Sequence, residues 1–300
     1  MNNKQNEREP LSLQVDLVFK AVFGQDTLTS KTLLIDLLNT ILNRTDSNQI
    51  ISLTHNNPFN LRLAPGDKES ILDLKVQTDK GESIDVEMQI SFSKHFHKRS
   101  LYYWSLLHSS QLEEGDKFSK LKKSICINIM SAKCFTDINE PLILFTVQNC
   151  EHKITLSNDL EIYYVQLPAI DDTIEAEAMD KLTEWMTFIK DIHLKEKQSL
   201  IQKIAAKEGV MQMAYDEYSK VNNDKLMREK LEARQKFIWD MNSANEEAIE
   251  EAHAEGREEG REEGHLEEKT SLAKKMKASG YDIAEIARLT GISENSINNL

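Results

Sequence analysis

Apolar and polar residues alternate with a period of two in two neighbouring segments, residues 71–77 and 83–90. This alternation is typical of half-buried β-strands. The connecting residues 78–82 include Gly81, which tolerates the backbone of a tight turn. The pattern therefore predicts a β-hairpin with its turn centred near Lys80.

Two carboxylates share the polar face of this predicted hairpin. When the apolar rows of both arms face the core, Asp73 and Glu87 lie together on the opposite face. A turn near Lys80 places Asp73 almost directly across from Glu87. Like charges directly opposite one another on a sheet are unfavourable. A cation beside the pair would therefore relieve this repulsion, and a divalent metal is the usual one.

Apolar residues at helical spacing predict helices on both sides of the hairpin, and shorter apolar runs predict further strands. The predicted helices cover residues 13–23, 31–43 (with Ser30 as N-cap) and 95–111, and the predicted strands cover residues 50–54, 124–130, 142–147 and 162–167. Residues 124–130 are almost continuously apolar, which favours a central strand buried on both faces. This order of elements indicates an α/β or α+β sheet with helices packed against it.

From about residue 172 the pattern becomes helical only, with predicted helices over residues 176–192, 198–206 and 225–241. The acidic residues 246–268 follow, with glycines at 256, 260 and 264. Each glycine inside a helix costs ~1 kcal/mol relative to alanine. A solvated connector and a self-association helix explain this segment equally well.

The last part of the chain predicts three short helices, over residues 272–279, 283–289 and 293–300. Ala287 and Gly291 have the spacing of a helix-turn-helix turn, and Ser293 is a candidate cap. The would-be recognition helix contains no Lys or Arg, which is poor for phosphate contacts. A small interaction bundle is therefore favoured over DNA binding here.

These patterns divide the chain into five segments. They are a disordered N-terminus (1–12), a sheet-containing domain (13–170), a helical region (171–245), the acidic glycine-punctuated helix or linker (246–268) and a small helix-turn-helix-like unit (269–300).

Composition narrows the class of protein. The 300 residues have a formal net charge of -13, which argues against a chain that coats nucleic acid over its whole surface but leaves local basic contacts open. The three cysteines have no metal-type spacing and are expected to be reduced thiols. No apolar run approaches the ~20 residues of a membrane span, and the polar first ten residues are unlike a signal peptide. We expect a cytoplasmic protein with no membrane partner.

Four blocks of the chain, taken in order, resemble the Rpn family of recombination-promoting nucleases and transposases within the PD-(D/E)XK superfamily. The blocks are D-L-V-F-K-A-V-F-G (16–24), I-L-D-L-K (71–75), Gly81 through V-E-M-Q (86–89), and R-S-L-Y-Y-W-S (99–105). The resemblance covers residues 15–167 well and the acidic tail loosely.

The resemblance implies a restriction-endonuclease-like α/β core, a mixed sheet flanked by helices, followed by an all-helical C-terminal region. It also implies a metal-dependent DNA endonuclease that acts in recombination or on mobile elements. Asp73 and Glu87 would bind Mg²⁺ together with the backbone carbonyl of Met88, with Mn²⁺ or Ca²⁺ as alternatives. Asp16 would be an additional acidic ligand or would orient a metal-bound water.

The chain departs from the superfamily at Gln89, where a lysine usually follows two residues after the glutamate. Glutamine orients a water but supplies no positive charge. Lys75 is our preferred replacement among the catalytic candidates, and Arg99 is the other one. Lys94, Lys98 and Arg99 form the most basic spot near the carboxylates and are the candidate DNA contacts.

Each assignment has a competing interpretation. Carboxylates on the solvated face of a hairpin are common, and His95 and His97 at a helix start are more often surface residues. The aromatic residues 102–104 are expected to pack in the core, with base stacking as a minor alternative. The competing function is a catalytically inactive nuclease-fold protein that acts as an interaction module and forms a homo-oligomer through its C-terminal helices.

Overall fold

The computed structural model describes residues 9–56, 73–91 and 94–300. It divides into two compact units, one ending at Leu231 and the other beginning at Glu232. Most of the segment expected to be disordered, residues 1–8 of 1–12, lies outside the described residues. The five predicted segment boundaries remain predictions.

The first unit contains a six-stranded sheet and most of the helices. Its elements are α1 (Asp16–Phe23), α2 (Leu28–Ile41), β1 (Leu53–His55), β2 (Asp73–Thr78), β3 (Ser83–Gln89), α3 (Phe96–Ser109), β4 (Ser124–Met130), β5 (Leu142–Phe145), β6 (Leu160–Gln166), α4 (Lys181–Asp191), α5 (Gln198–Lys207) and α6 (Gly209–Asn223). In the part of the chain that the structure describes, no helix is both long and apolar enough to span a membrane.

The sheet has the strand order β1-β2-β3-β4-β6-β5. Strand β2 pairs antiparallel with both β1 and β3. Strand β4 pairs parallel with both β3 and β6, and β5 pairs antiparallel with β6. This mixed sheet, with helices packed against it, confirms the predicted restriction-endonuclease-like fold class.

The predicted hairpin is formed by β2 and β3, and its register places Asp73 opposite Glu87 and Lys75 opposite Asp85. Gly81 lies in the connecting turn with a φ of +77°, a backbone conformation that a side chain would strain. Local alternation and turn chemistry therefore predicted this part of the fold correctly.

The polar face of β3 is buried in the protein and is not exposed to solvent. Strand β3 lies inside the sheet, paired with β4 along its whole length, and both Asp85 and Glu87 are 3% exposed. The solvated interpretation is therefore wrong for β3. Its alternating pattern suggested one exposed face, but α3 packs over the side that carries the carboxylates.

The sheet separates two layers of apolar packing. On one face, Leu74, Val86 and Met88 pack in a core that includes residues of α1, α2 and α4 to α6. On the other face, the smaller cluster contains Phe96 and Leu107 of α3 with buried residues of β4 and β6. The polar row of the hairpin belongs to this second face.

Helix α2 begins one turn earlier than predicted. Thr27, not Ser30, is its N-cap, because the Thr27 hydroxyl accepts a hydrogen bond from the Ser30 backbone N–H. The Ser30 hydroxyl instead donates to the Val22 carbonyl, which ties α2 to the end of α1. Helix α6 was not predicted at all.

The remaining elements are α7 (Lys225–Ala278), α8 (Ile283–Thr290) and α9 (Glu294–Asn298). The segments predicted as separate helices between residues 225 and 279 form the single helix α7, which runs through all three glycines. Ala273, Ile286 and Ile297 form a small core between α7, α8 and α9. Gly291 ends α8 with a φ of +74°, and the predicted Ser293 cap of α9 is confirmed.

Candidate functional site

Four adjacent strands each contribute one polar side-chain position to the same row of the sheet. Asp73 on β2 pairs with Glu87 on β3, Glu87 with Asn128 on β4, and Asn128 with Tyr164 on β6. Register partners project from the same face of a sheet. The first turns of α3 cover this row, which places the two predicted carboxylate positions beside a helix that carries a cation.

Glu87 is a buried carboxylate with charged and polar donors directly beside it. Its Oε2 accepts a hydrogen bond from Arg99 Nη2 at 3.2 Å and from Gln89 Nε2 at 3.3 Å. A carboxylate with 3% exposure requires such partners, because a buried charge without compensation is strongly destabilising. The structure thus brings together Glu87, Gln89 and Arg99 of the predicted site.

Arg99 is held by aromatic rings as well as by the carboxylate. Its guanidinium lies 4.7 Å from the centroid of the Phe96 ring and 5.9 Å from that of Tyr103, within the range of cation–π attraction. Its Nε is buried and has no hydrogen-bond partner among the described residues. The guanidinium therefore lies between the aromatic rings and the Glu87 carboxylate.

Lys75, the preferred replacement cation, lies on β2 two residues after Asp73 and on the same strand face. It is half-buried, and its register partner is Asp85. The structure therefore places Lys75 one step along the hairpin from the Asp73–Glu87 pair. Its catalytic role remains a prediction.

Asp16 and Asp73 are placed less completely. Asp16 begins α1, whose buried residues pack in the core on the opposite face of the sheet. The backbone of Asp73 is described, but its side chain lies outside the described set, as do residues 57–72. Among the described side chains, no group of three His, Cys, Asp or Glu residues is close enough to hold a metal.

The candidate DNA contacts lie around the start of α3. Lys94 and Lys98 are exposed there, whereas Arg99 is half-buried. The aromatic residues that follow divide between two roles. The Trp104 Nε1 donates to the Ser124 carbonyl at 2.8 Å, which agrees with packing against the sheet, but Tyr102 is 58% exposed and does not belong to the core.

Sequence reasoning did not identify Asn128 and Ser100. The Asn128 Nδ2 donates to the Ser100 Oγ at 3.0 Å and to the Tyr163 carbonyl at 3.1 Å, and both side chains are 2% exposed. An asparagine inside the apolar run S-I-C-I-N-I-M was the available signal, because a buried amide needs partners.

His97 and Tyr164 complete the contacts between α3 and the row. The His97 Nδ1 lies 3.3 Å from the Tyr164 hydroxyl, and the two rings meet edge to face. Burial raises the pKa of the Tyr164 hydroxyl, and the neighbouring Ser100 hydroxyl partly offsets the rise. His97 is exposed, as expected for a helix start, but it also contacts the sheet.

A comparison with protein-family models supports the resemblance seen in the sequence. The model described as "PD-(D/E)XK nuclease family transposase" matches residues 13–248, which include the whole sheet and the first part of α7. No curated protein and no solved structure matched the chain. Since the family model covers most of the sequence, this chain belongs to the PD-(D/E)XK nuclease family transposases.

Proposed function

We propose that this protein is a metal-dependent DNA endonuclease that hydrolyses phosphodiester bonds, with Asp73 and Glu87 as its central carboxylates. The observation that carries the proposal is the register of β2 and β3, which pairs Asp73 with Glu87 directly beside Arg99. The family of the chain supports the same reaction class.

The donors at this position fit a hard divalent cation. Two carboxylates from neighbouring strands are the ligands that Mg²⁺ prefers, and Mg²⁺ keeps several waters and takes few protein ligands. We assign Asp73, Glu87 and the Met88 carbonyl as the ligands, and Mn²⁺ and Ca²⁺ are alternative ions. A bound ion would polarise a phosphodiester oxygen and lower the pKa of a bound water.

The chain's own residues would position the substrate and balance charge. Gln89 and Arg99 hold the Glu87 carboxylate in one orientation. We assign Arg99 the positive charge that the usual lysine supplies elsewhere, because its guanidinium lies beside Glu87 and a guanidinium suits phosphate oxygens. Lys75 is the second candidate for that role. Lys94 and Lys98 are exposed beside the site and suit contacts with the DNA backbone.

The test is cleavage of supercoiled plasmid and linear duplex DNA by the full-length chain with Mg²⁺ or Mn²⁺. We expect nicking that disappears in Asp73→Ala and in Glu87→Ala. Asp137→Ala, which removes an exposed carboxylate outside the row, is the matched control and should cleave normally. A folded wild-type chain that cleaves neither substrate with either ion would refute the proposal.

A second function is favoured by one observation. The Glu87 carboxylate already has a cation and an amide donor bound to Oε2, which is also the expected arrangement of a structural ion pair on an inactive nuclease fold. In that case the chain acts as an interaction module, and its oligomerisation would use the C-terminal helices. An inactive wild type that forms concentration-dependent oligomers in sedimentation experiments would support this alternative.

We assign the proposed endonuclease a role in DNA recombination or on mobile elements, following the transposase family. A cytoplasmic location fits that role. Cleavage sites mapped by sequencing on DNA that carries a mobile element would test this role.

A further inference from the structure

We propose that Asn128 is a positioning residue of this site, which holds α3 on the sheet so that Arg99 reaches Glu87. The kinetic part of this proposal rests on the proposed nuclease function. The structural part does not, because it concerns the contacts that fix one helix against three strands.

The Asn128 amide joins α3 to the sheet directly. Its Nδ2 has two hydrogens, and both are used, one by the Ser100 hydroxyl at 3.0 Å and one by the Tyr163 carbonyl at 3.1 Å. The carbonyl belongs to β6 and the hydroxyl to α3. The buried Asn128 side chain on β4 therefore links α3 both to β4 and to the neighbouring strand β6.

Two consecutive residues of α3 contact two adjacent strands. Arg99 and Ser100 are consecutive residues of α3, and Glu87 and Asn128 are partners on adjacent strands, which lie ~4.8 Å apart. Consecutive Cα atoms in a helix are about 3.8 Å apart. Fixing Ser100 against Asn128 therefore keeps Arg99 within reach of Glu87, where the ion pair is observed.

A third contact holds the same part of α3 to the sheet. Tyr164 pairs with Asn128 on the next strand and lies 3.3 Å from His97, which is three residues before Ser100 on α3. Residues three apart share a helix face. Helix α3 is thus attached at three consecutive strands, and the Asn128 contact is the middle one.

Burial makes the Asn128 contact selective. Asn128 and Ser100 are each 2% exposed. A polar atom that lost its hydrogen-bond partner there would therefore not gain a hydrogen bond to water in its place. Other positions of α3 would leave the amide unsatisfied. The contact therefore favours one placement of the helix over its neighbours, which apolar packing of Phe96 and Leu107 alone does not do.

The experiment compares Asn128→Ala, Ser100→Ala and the double variant in the full-length chain, with Ser100→Thr as the variant that keeps the hydroxyl. Asn39→Ala is the matched control, because the Asn39 side chain also makes two hydrogen bonds, in its case both with the backbone of Ile50, away from the row. The measurements are kcat and KM for Mg²⁺-dependent DNA cleavage, hydrogen exchange of residues 96–100, and thermal unfolding.

We expect Asn128→Ala and Ser100→Ala to lower kcat roughly ten- to hundredfold with little change in KM for DNA, since misplaced catalytic groups lose rate rather than binding. The double variant should fall no further than the worse single variant, and Ser100→Thr should recover activity. Amides 98–100 should exchange faster in Asn128→Ala. Asn39→Ala should lower thermal stability without either effect.

Two results would overturn the proposal. One is unchanged exchange of residues 96–100 in Asn128→Ala, and the other is a loss of kcat in Asn39→Ala as large as in Asn128→Ala at equal stability. If the wild-type chain cleaves no DNA, the nuclease function fails. The exchange comparison between the Asn128 and Asn39 variants still decides whether Asn128 positions the helix.

Discussion

The Arg99 guanidinium on α3 lies 3.2 Å from the Glu87 carboxylate on β3, measured from Nη2 to Oε2. The carboxylate is almost fully buried and the arginine side chain is 35% exposed. The pair therefore links a helix that is open to solvent at its start with the centre of the sheet. Its two members should respond differently to substitution.

Arg99→Ala should cost more stability than Glu87→Gln. Removing Arg99 takes a bound cation away from the buried Glu87, whereas Glu87→Gln leaves a partly exposed arginine and a neutral amide. We expect a loss of about 1–2 kcal/mol for Arg99→Ala, reduced from a fully buried pair by solvent screening. Chemical denaturation measures both variants. A larger loss in Glu87→Gln would contradict this account of the ion pair.

Arg99→Lys should restore the charge but not the full function. Lysine keeps the cation next to Glu87 but lacks the planar guanidinium that lies over Phe96 and offers a second donor. We expect stability close to wild type and cleavage reduced roughly tenfold. Equal cleavage rates in Arg99→Lys and wild type would show that only charge at this position matters.

Gln89→Lys and Lys75→Ala together should locate the catalytic cation. If Arg99 supplies the charge, Lys75→Ala should keep at least about a third of wild-type kcat, a loss of less than ~0.7 kcal/mol in transition-state stabilisation. Gln89→Lys adds a cation two residues from Glu87 and should not lower activity. A large loss in Lys75→Ala with a rescue in Gln89→Lys would instead identify Lys75 as the functional lysine.

Asp191→Asn should stabilise the protein near neutral pH. Burial raises the pKa of Asp191, which is 2% exposed, so its charged form is disfavoured in the folded chain. A raised pKa contributes stability below the unfolded value that is lost as the pH rises through the folded value. The gain from Asp191→Asn should therefore be present at pH 7 and disappear near pH 3.

Thermal unfolding of wild type and Asp191→Asn at several pH values measures this effect. The charged groups that influence Asp191 are Lys190, Asp172, Lys197 and His193. Asp137→Asn is the control, because Asp137 is exposed and is not one of the groups that influence Asp191. A stabilisation that is independent of pH would refute the role of Asp191 ionisation.

Replacing Gly256, Gly260 and Gly264 by alanine separates the two interpretations of α7. A Cβ added at any of the three would meet no atom within 4 Å, so the substitutions introduce no clash within the chain. Each should favour the helix by ~1 kcal/mol. If the glycine face mediates self-association, the triple variant should form weaker oligomers despite its more stable helix. Circular dichroism and analytical ultracentrifugation measure the two properties.

The elements predicted correctly from the sequence are those specified by local pattern. The β2–β3 register follows from alternation and from Gly81, and the bounds of β4 follow from one apolar run. The burial of Glu87 was not predictable from that pattern, because it depends on pairing with β4 and on cover by α3. The Arg99 contact and the Asn128 contact likewise arise from segments distant in sequence.

The helices α6 and α7 also differ from what local sequence signals predicted. The sequence predicted separate helices over residues 225–241 and 272–279 and left residues 246–268 as a connector or a helix. The structure has the single helix α7 (Lys225–Ala278), in which the residues between the glycines continue the helix. Helix α6 begins at Gly209 and its first turn contains no acidic residue, so it lacks the usual start signals.

The parallel pairing of β3, β4 and β6 has a consequence for the order in which the protein becomes competent during synthesis. Asp73 and Glu87 leave the ribosome early, but Asn128 and Tyr164 follow much later, and parallel strands pair only after their connections are complete. A nascent chain that stops before Leu160 carries both carboxylates and Asn128 but lacks β6, the strand that completes the row. Translation therefore delays assembly of the row until most of the first unit has been made.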